Sequence, residues 1–517
     1  MGAMLRFLAA LALGLGACTG SVADRAAGPD GAPGAEPDGD DDPGAEDLPR
    51  DATVHVHLDD VGSTIAPDVI GFSLEYPMVG SHIGRTPEQL NPVFVQLLRN
   101  LGKGTLRVGG TSTDTSCWRT AAGASLPTGC SIEISPNSLR VVSAAMGATD
   151  WRVMLGVDLA HYSPTTALDY ARDGIVPAFA ARPGALLGLQ FGHEPNLYST
   201  QNRRADSYGH DDFVDEWMAY AQALAGDPST AMLRPVGPTY GARSLWYGFM
   251  RDFLEGTGDM LGGLVAVNDA SLSNCGVDTP PTLQQLMASD TIYQGRKRMT
   301  DVAETLAPLG AELQIGQTAS AQCLGVDGMS NVFGSALWAV DYVFTMVEAG
   351  VRRVNFHNAR NAYYNPIVST ETDTGDGVFT YDTRVTPVYY GLLLASRAAG
   401  GRLLRATTTD SSFALVAHAA RAEDGSTLVY LVNKDMAAGG TVAVTPSSPR
   451  GQATGIALNA PSLTARADQV RLGGSMVGAD GAIAAPTGFP VDVASARGTY
   501  LVEVPNASAV LLIIPPG

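Results

Sequence analysis

From residue 69 to residue 356 the chain repeats one unit. A short apolar stretch ends in glycine or polar residues, and an amphipathic stretch of helical period follows. The apolar stretches are Val69–Glu75, Thr105–Gly109, Trp151–Val157, Leu186–Phe191, Leu233–Gly237, Gly263–Val267, Glu312–Gly316 and Val351–Phe356. Helical stretches between them include Glu88–Asn100, Asp212–Leu224 and Val332–Glu348. Eight such units predict an α/β fold, a (β/α)8 TIM barrel, over residues 51–400. A doubly wound sheet would carry a Gly-rich phosphate loop after its first strand. Here Tyr76-Pro77-Met78 follows instead.

Past Gly401 the helical period disappears. Ser412–His418, Thr427–Val432, Gly440–Thr445, Thr499–Val504 and Ala509–Ile514 are short β-type stretches separated by Gly, Asp and Pro. They predict a C-terminal antiparallel β-sandwich over 401–517. Ala52–Leu58, with alternating Val54 and Val56, precedes the barrel and is a candidate partner strand for it.

The N-terminus reads as an address. Arg6 precedes the apolar run Phe7–Leu15, too short for a membrane-spanning helix. The run ends in Leu15-Gly16-Ala17-Cys18, which resembles a bacterial lipobox. That resemblance implies cleavage after residue 17 and lipidation of Cys18. Thr19 in the next position implies the outer membrane, facing periplasm or exterior. Residues 19–50 are Gly, Pro, Ala and Asp with almost no aliphatic bulk, so they are expected to form a disordered tether. The whole chain has a formal charge of -19, of which seven net negative charges fall in this tether. Such a balance excludes bulk-charge binding of nucleic acid. The expected partners are a membrane, through the lipid, and a small ligand; the protein is expected to be a monomer without a cofactor.

In a TIM barrel the loops after the strands build the site. Glu194 stands at one such point, in Phe191-Gly192-His193-Glu194-Pro195-Asn196 after the fourth strand. A carboxyl at an apolar strand end has its pKa raised, which suits a general acid. This motif resembles the retaining glycoside hydrolases of the large barrel clan. More closely, the chain is similar to glycoside hydrolase family 79, the β-glucuronidase and heparanase family, over roughly residues 53–515. The motifs that carry this are Gly71-Phe72-Ser73-Leu74-Glu75-Tyr76, Leu106-Arg107-Val108-Gly109-Gly110-Thr111-Ser112-Thr113-Asp114, Leu337-Trp338-Ala339-Val340-Asp341-Tyr342, Val354-Asn355-Phe356-His357, Tyr363-Tyr364-Asn365-Pro366 and Leu431-Val432-Asn433-Lys434-Asp435.

The resemblance implies that Glu194 is the acid/base and that Glu75, Thr111, Asp114, His193, Tyr363 and Tyr364 lie along a glycan or glucuronide site. It also exposes three departures. The nucleophile's position in a Gly-Glu-Thr-like motif is Gln317, in Gly316-Gln317-Thr318. The residue before the acid/base is His193 where the family has asparagine. The family's His-X-Tyr group after the sixth strand is replaced by Asn268-Asp269-Ala270. A retaining mechanism needs two carboxyl groups about 5–5.5 Å apart, and an amide is a poor nucleophile. Loss of the standard retaining reaction is therefore expected. The alternative is hydrolysis by a water route, with Glu194 as acid and Asp269 as base.

With Cys18 lipidated, four cysteines remain. Cys117 and Cys130 flank one loop; Cys275 and Cys323 follow neighbouring strands. Two bridges, Cys117–Cys130 and Cys275–Cys323, are expected in an oxidising compartment. His55 and His57 share one strand face, but two ligands without a third do not define a metal site, so none is expected.

Overall fold

The computed structural model describes residues 48–119, 125–448 and 451–516. The leader, Cys18 and nearly all of the expected tether lie outside them. Leu48–Gly517 forms one compact unit.

Eight parallel strands close into a barrel. In chain order they are Ile70–Glu75, Thr105–Gly109, Arg152–Val157, Leu186–Phe191, Pro235–Pro238, Leu264–Leu272, Glu312–Ala321 and Val351–Asn358. Each of the eight expected stretches supplies one strand. Alternation decides what faces where. On the first strand Ile70, Phe72 and Leu74 point to the surrounding helices, and Phe72 stacks on Trp151 at 5.6 Å. Gly71, Ser73 and Glu75 point inward. A Cβ at Gly71 would lie 2.0 Å from the Asn355 side chain, so only glycine fits there.

The sixth and seventh strands run further than the apolar pattern suggested, to Leu272 and Ala321. Their polar continuations are buried rather than solvated. Between them the register jumps: Val267 faces Ile315, but Asn268 faces Gln317. The extra residue, Gly316, makes a β-bulge that shifts the alternation by one position. Leu313 and Ile315 face the helices, and beyond the bulge Gln317 faces inward.

The segment Ala52–Thr64 does not belong to the barrel, which begins at Ile70. It lies inside a largely antiparallel ten-stranded sheet. There it pairs antiparallel with Arg402–Thr409 and parallel with Gly440–Pro446. Residues from both ends of the sheet, such as Val442 and Val502 at one and Val510 and Leu512 at the other, share one core with Val54 and Val56. The expected sandwich is therefore one continuous sheet packed on itself. Strand Thr427–Asn433 is buried throughout. Val429 and Leu431 face this inner core, while Leu428, Tyr430 and Val432 join the barrel's core.

Helix Phe333–Glu348 lies between barrel and sheet and is buried on every side except at its last residue. Its Phe344 packs on Tyr430 at 4.4 Å. None of the described helices is long and apolar enough to cross a membrane. Helix Pro92–Asn100 starts four residues later than expected because Asn91 caps it and Pro92 occupies its first turn. Both expected disulfides are formed, Cys117–Cys130 and Cys275–Cys323.

Candidate active site

Arg107 is the hub at the carboxyl end of the barrel. It is fully buried on the second strand. Its guanidinium donates to Gln190 Oε1 at 2.9 Å, Ser73 Oγ at 3.2 Å, Gln317 Oε1 at 3.2 Å and His193 Nδ1 at 2.9 Å. Burial lowers its pKa to about 10, so it stays charged at neutral pH. Because His193 Nδ1 accepts from Arg107, the neutral ring carries its proton on Nε2. Burial and the nearby guanidinium hold His193 well below the ordinary imidazole pKa, so it remains neutral. Its Nε2–H is buried without a hydrogen-bond partner, 3.8 Å from Glu194 Oε2.

Glu194 ends the loop after the fourth strand in a left-handed conformation, φ 50°. Pro195 follows and opens a short 3-10 turn. Gly192, at φ 70°, lets the chain pass the Tyr198 hydroxyl, which a Cβ would meet at 2.4 Å. A left-handed glutamate costs conformational energy and is retained only where its surroundings over-determine it. Here the Glu194 N–H donates to Thr239 O at 3.1 Å, and Asn268 Nδ2 donates to the carboxylate at 3.3 Å. Burial raises the Glu194 pKa, with Asn268 and Arg107 pulling against it and Glu75 adding to it.

Gln317 therefore stands beside Glu194's neighbours. It shares Arg107 with His193 and faces Asn268 across the ladder. Asp269 points the other way, correcting the idea that it could act as a base in the site. Its carboxylate accepts from Arg298 at 2.5 Å and from Tyr342 at 2.8 Å, both on helices outside the barrel. Glu312 is also remote, paired with Arg353 at 2.6 Å and Arg352 at 2.9 Å.

The other expected sugar contacts divide. Glu75 is committed to the loop after the second strand. It accepts from the N–H groups of Thr111 at 3.0 Å and Ser112 at 2.7 Å, from the Ser112 hydroxyl, and pairs with His357 at 3.2 Å. Burial alone would raise its pKa, but His357 and Ser112 hold it below the usual carboxylate value. Asp114 is a buried hub, not a wall of the pocket. It accepts from Tyr198 at 2.9 Å, Arg203 at 2.7 Å and the His193 N–H at 3.2 Å, which fixes the Glu194 loop. Tyr364 is nearly buried and packs on His357 at 5.8 Å. Thr111 and Tyr363 are exposed. Sequence reasoning had not assigned roles to Arg107, Gln190, Asn268 and His357. Arg107 and Gln190 did leave a signal, since one is the lone charged residue and the other the lone polar residue of its strand.

Cys117, Cys130, Asp158 and His161 group closely enough for a metal, but the two sulfurs are bonded to each other.

No protein-family profile matches the chain. It is 25% identical over 240 residues to a β-glucuronidase of Aspergillus niger, covering 43% of this chain and 42% of that protein. The chain thus matches less than half the length of this curated relative. Among solved structures it is similar to a 4-O-α-L-rhamnosyl-β-D-glucuronidase from Fusarium oxysporum. The TM-score is 0.68 at 16% identity, over 89% of this chain and 99% of that one. A GH51 arabinofuranosidase from Xanthomonas axonopodis pv. citri gives a TM-score of 0.62 at 16% identity, over 90% and 100%. The fold is that of TIM-barrel glycoside hydrolases carrying a β-sheet domain.

Proposed function

We propose that this protein binds glucuronide-type glycans on a glycoside hydrolase barrel of the family 79 kind and no longer performs the standard retaining reaction. One observation carries the reading. The inward position of the seventh strand, held by Arg107 beside Glu194's neighbours, is an amide, Gln317. A two-carboxylate displacement has no nucleophile there. Asp269 and Glu312 are bound elsewhere, and Glu75 is occupied by its loop. Glu194 keeps the raised pKa of a general acid. The buried, unpartnered Nε2–H of His193 beside it offers a donor to a ligand hydroxyl, since an unmet buried donor costs about 1–3 kcal/mol. The β-glucuronidase relative and the glucuronidase neighbour support the substrate class.

The test is p-nitrophenyl β-D-glucuronide. The wild type is expected to bind it, with turnover no greater than that of Glu194→Ala. Turnover clearly above that control sinks the proposal. The double variant Gln317→Glu/His193→Asn is expected to gain hydrolysis, with an acid limb set by the new carboxylate and an alkaline limb set by Glu194.

We also propose that the chain is exported and anchored through a lipid on Cys18. Labelled palmitate is expected to enter the wild type and not Cys18→Ser; equal labelling of both overturns the anchor.

A further inference from the structure

We propose an accessory subsite for a carboxylated sugar in the cavity between the loops that follow the first and eighth barrel strands, whose lining contains neither Glu194 nor Gln317. It rests on the glycan reading above and adds the chemistry of a second sugar residue. The half-open cavity measures about 1060 Å3, just above the range of about 300–1,000 Å3 typical of ligand sites. Arg360 and Arg384 line it. Both are exposed, and neither side chain has a hydrogen-bond or ion-pair partner among the described residues. The other charges in the lining are mostly committed. Glu371 is held by both nitrogens of the Arg85 fork, and Arg466 pairs with Asp327 at 2.9 Å. Asp468 alone opposes the two free guanidinium groups. In a chain of charge -19, two unpaired arginines facing one cavity make a local anion site.

The backbone beneath them is fixed. Asn365 closes the loop 359–365 by bonding both the N–H of Ala359 at 2.9 Å and its carbonyl at 2.8 Å. Arg384 sits on the hairpin Ile367–Asp373/Phe379–Val385, opposite Val368. That hairpin is tied to Asn91 through Ser369 at 3.1 Å and Thr383 at 2.8 Å. Tyr363, 44% exposed, stands on the same wall as Arg360. Planar guanidinium forks bind carboxylates in a bidentate way, and an exposed tyrosine ring offers an apolar face with a polar tip. Together they match a uronate: a carboxylate on one side of the pyranose and a C–H face on the other.

The test uses the hyaluronan tetrasaccharide, which carries glucuronate, and its carboxyl-reduced form, titrated calorimetrically into the full chain. The acidic form is expected to bind the wild type at least tenfold more tightly. In Arg360→Ala/Arg384→Ala, whose Tm is expected to be unchanged because both side chains are exposed, the gap is expected to close to within about twofold. A wild type that binds neither form or both equally overturns the subsite, as does a gap that survives in the double variant. Binding of p-nitrophenyl β-D-glucuronide, measured separately, tests the Glu194 centre. Its absence would sink the central reading, while a carboxylate-dependent gap that closes in the double variant would still carry this one.

Discussion

Arg107 brings a full positive charge into the barrel, where its four hydrogen-bond partners are all neutral. A hydrogen bond to a charged group such as Arg107 is worth about 1.5–3 kcal/mol, and an opposite charge on the partner adds Coulomb attraction to it. Replacing Gln317 by Glu gives the buried Arg107 charge an opposite partner and is therefore expected to stabilise the protein. Thermal unfolding at pH 7 checks this, and a lower Tm would contradict it. The new carboxylate would have a depressed pKa, so the gain is present at neutral pH and lost as pH falls below about 4. Glu194 and Gln317 were legible as strand-end positions in the sequence. The direction of each side chain was not. Asp114 and Glu75 stand in motifs that resemble a sugar site, yet their oxygens are taken by backbone N–H groups, hydroxyls and His357 or Arg203. Only the folded loop supplies those donors. Gly316 likewise gives no local sign that it inserts a bulge, because the bulge is defined by the neighbouring strand.

Helix Phe333–Glu348 was legible as a helix but not as a core element with a charge in its middle. Asp341 meets His418 at 2.9 Å and also pairs with Lys434, while His418 meets Glu348 at 3.0 Å. Three of these four groups are buried, so helix and sheet are joined by an ionic cluster as well as by apolar packing. Burial alone would lower the His418 pKa, but the two carboxylates raise it to about 9. A folded pKa above the unfolded value of about 6.5 means stability that is fully present below 6.5 and lost as pH rises through 9. The loss is about 3 kcal/mol. Melting curves from pH 6.5 to 10 are expected to show it, and the slope is expected to flatten in His418→Gln. Asp341→Ala strands Lys434 and His418 in the core and is expected to cost about 3–5 kcal/mol at pH 7. An unchanged denaturation midpoint would refute that.

For the molecule as a whole, the eightfold rhythm gave away the barrel and the change of texture near residue 401 gave away the sheet. The strand Ala52–Leu58 was legible as well: its alternating Val54 and Val56 mark a β-segment ahead of the barrel, and it does pair within the C-terminal sheet. Ala52–Thr64 comes first in the chain, yet its His57 meets Thr407, 350 residues later. This arrangement governs how the protein must be made. When the ribosome has delivered the whole barrel, Ala52–Thr64 still has two bare edges, because both of its neighbours, Arg402–Thr409 and Gly440–Pro446, follow the barrel in the chain. Unpaired edges invite association with other chains, and contacts of long sequence separation form slowly. A chain stopped at residue 400 is expected to aggregate on expression, and one restricted to residues 65–400 is expected to expose the helix face that the sheet covers. Co-expressed 401–517 is expected to return the 1–400 fragment to the soluble fraction; failure to do so would mean that the bare edges are not what makes the fragment aggregate. The nascent protein must wait, with Ala52–Thr64 unpaired along one edge, until Gly440–Pro446 has been made.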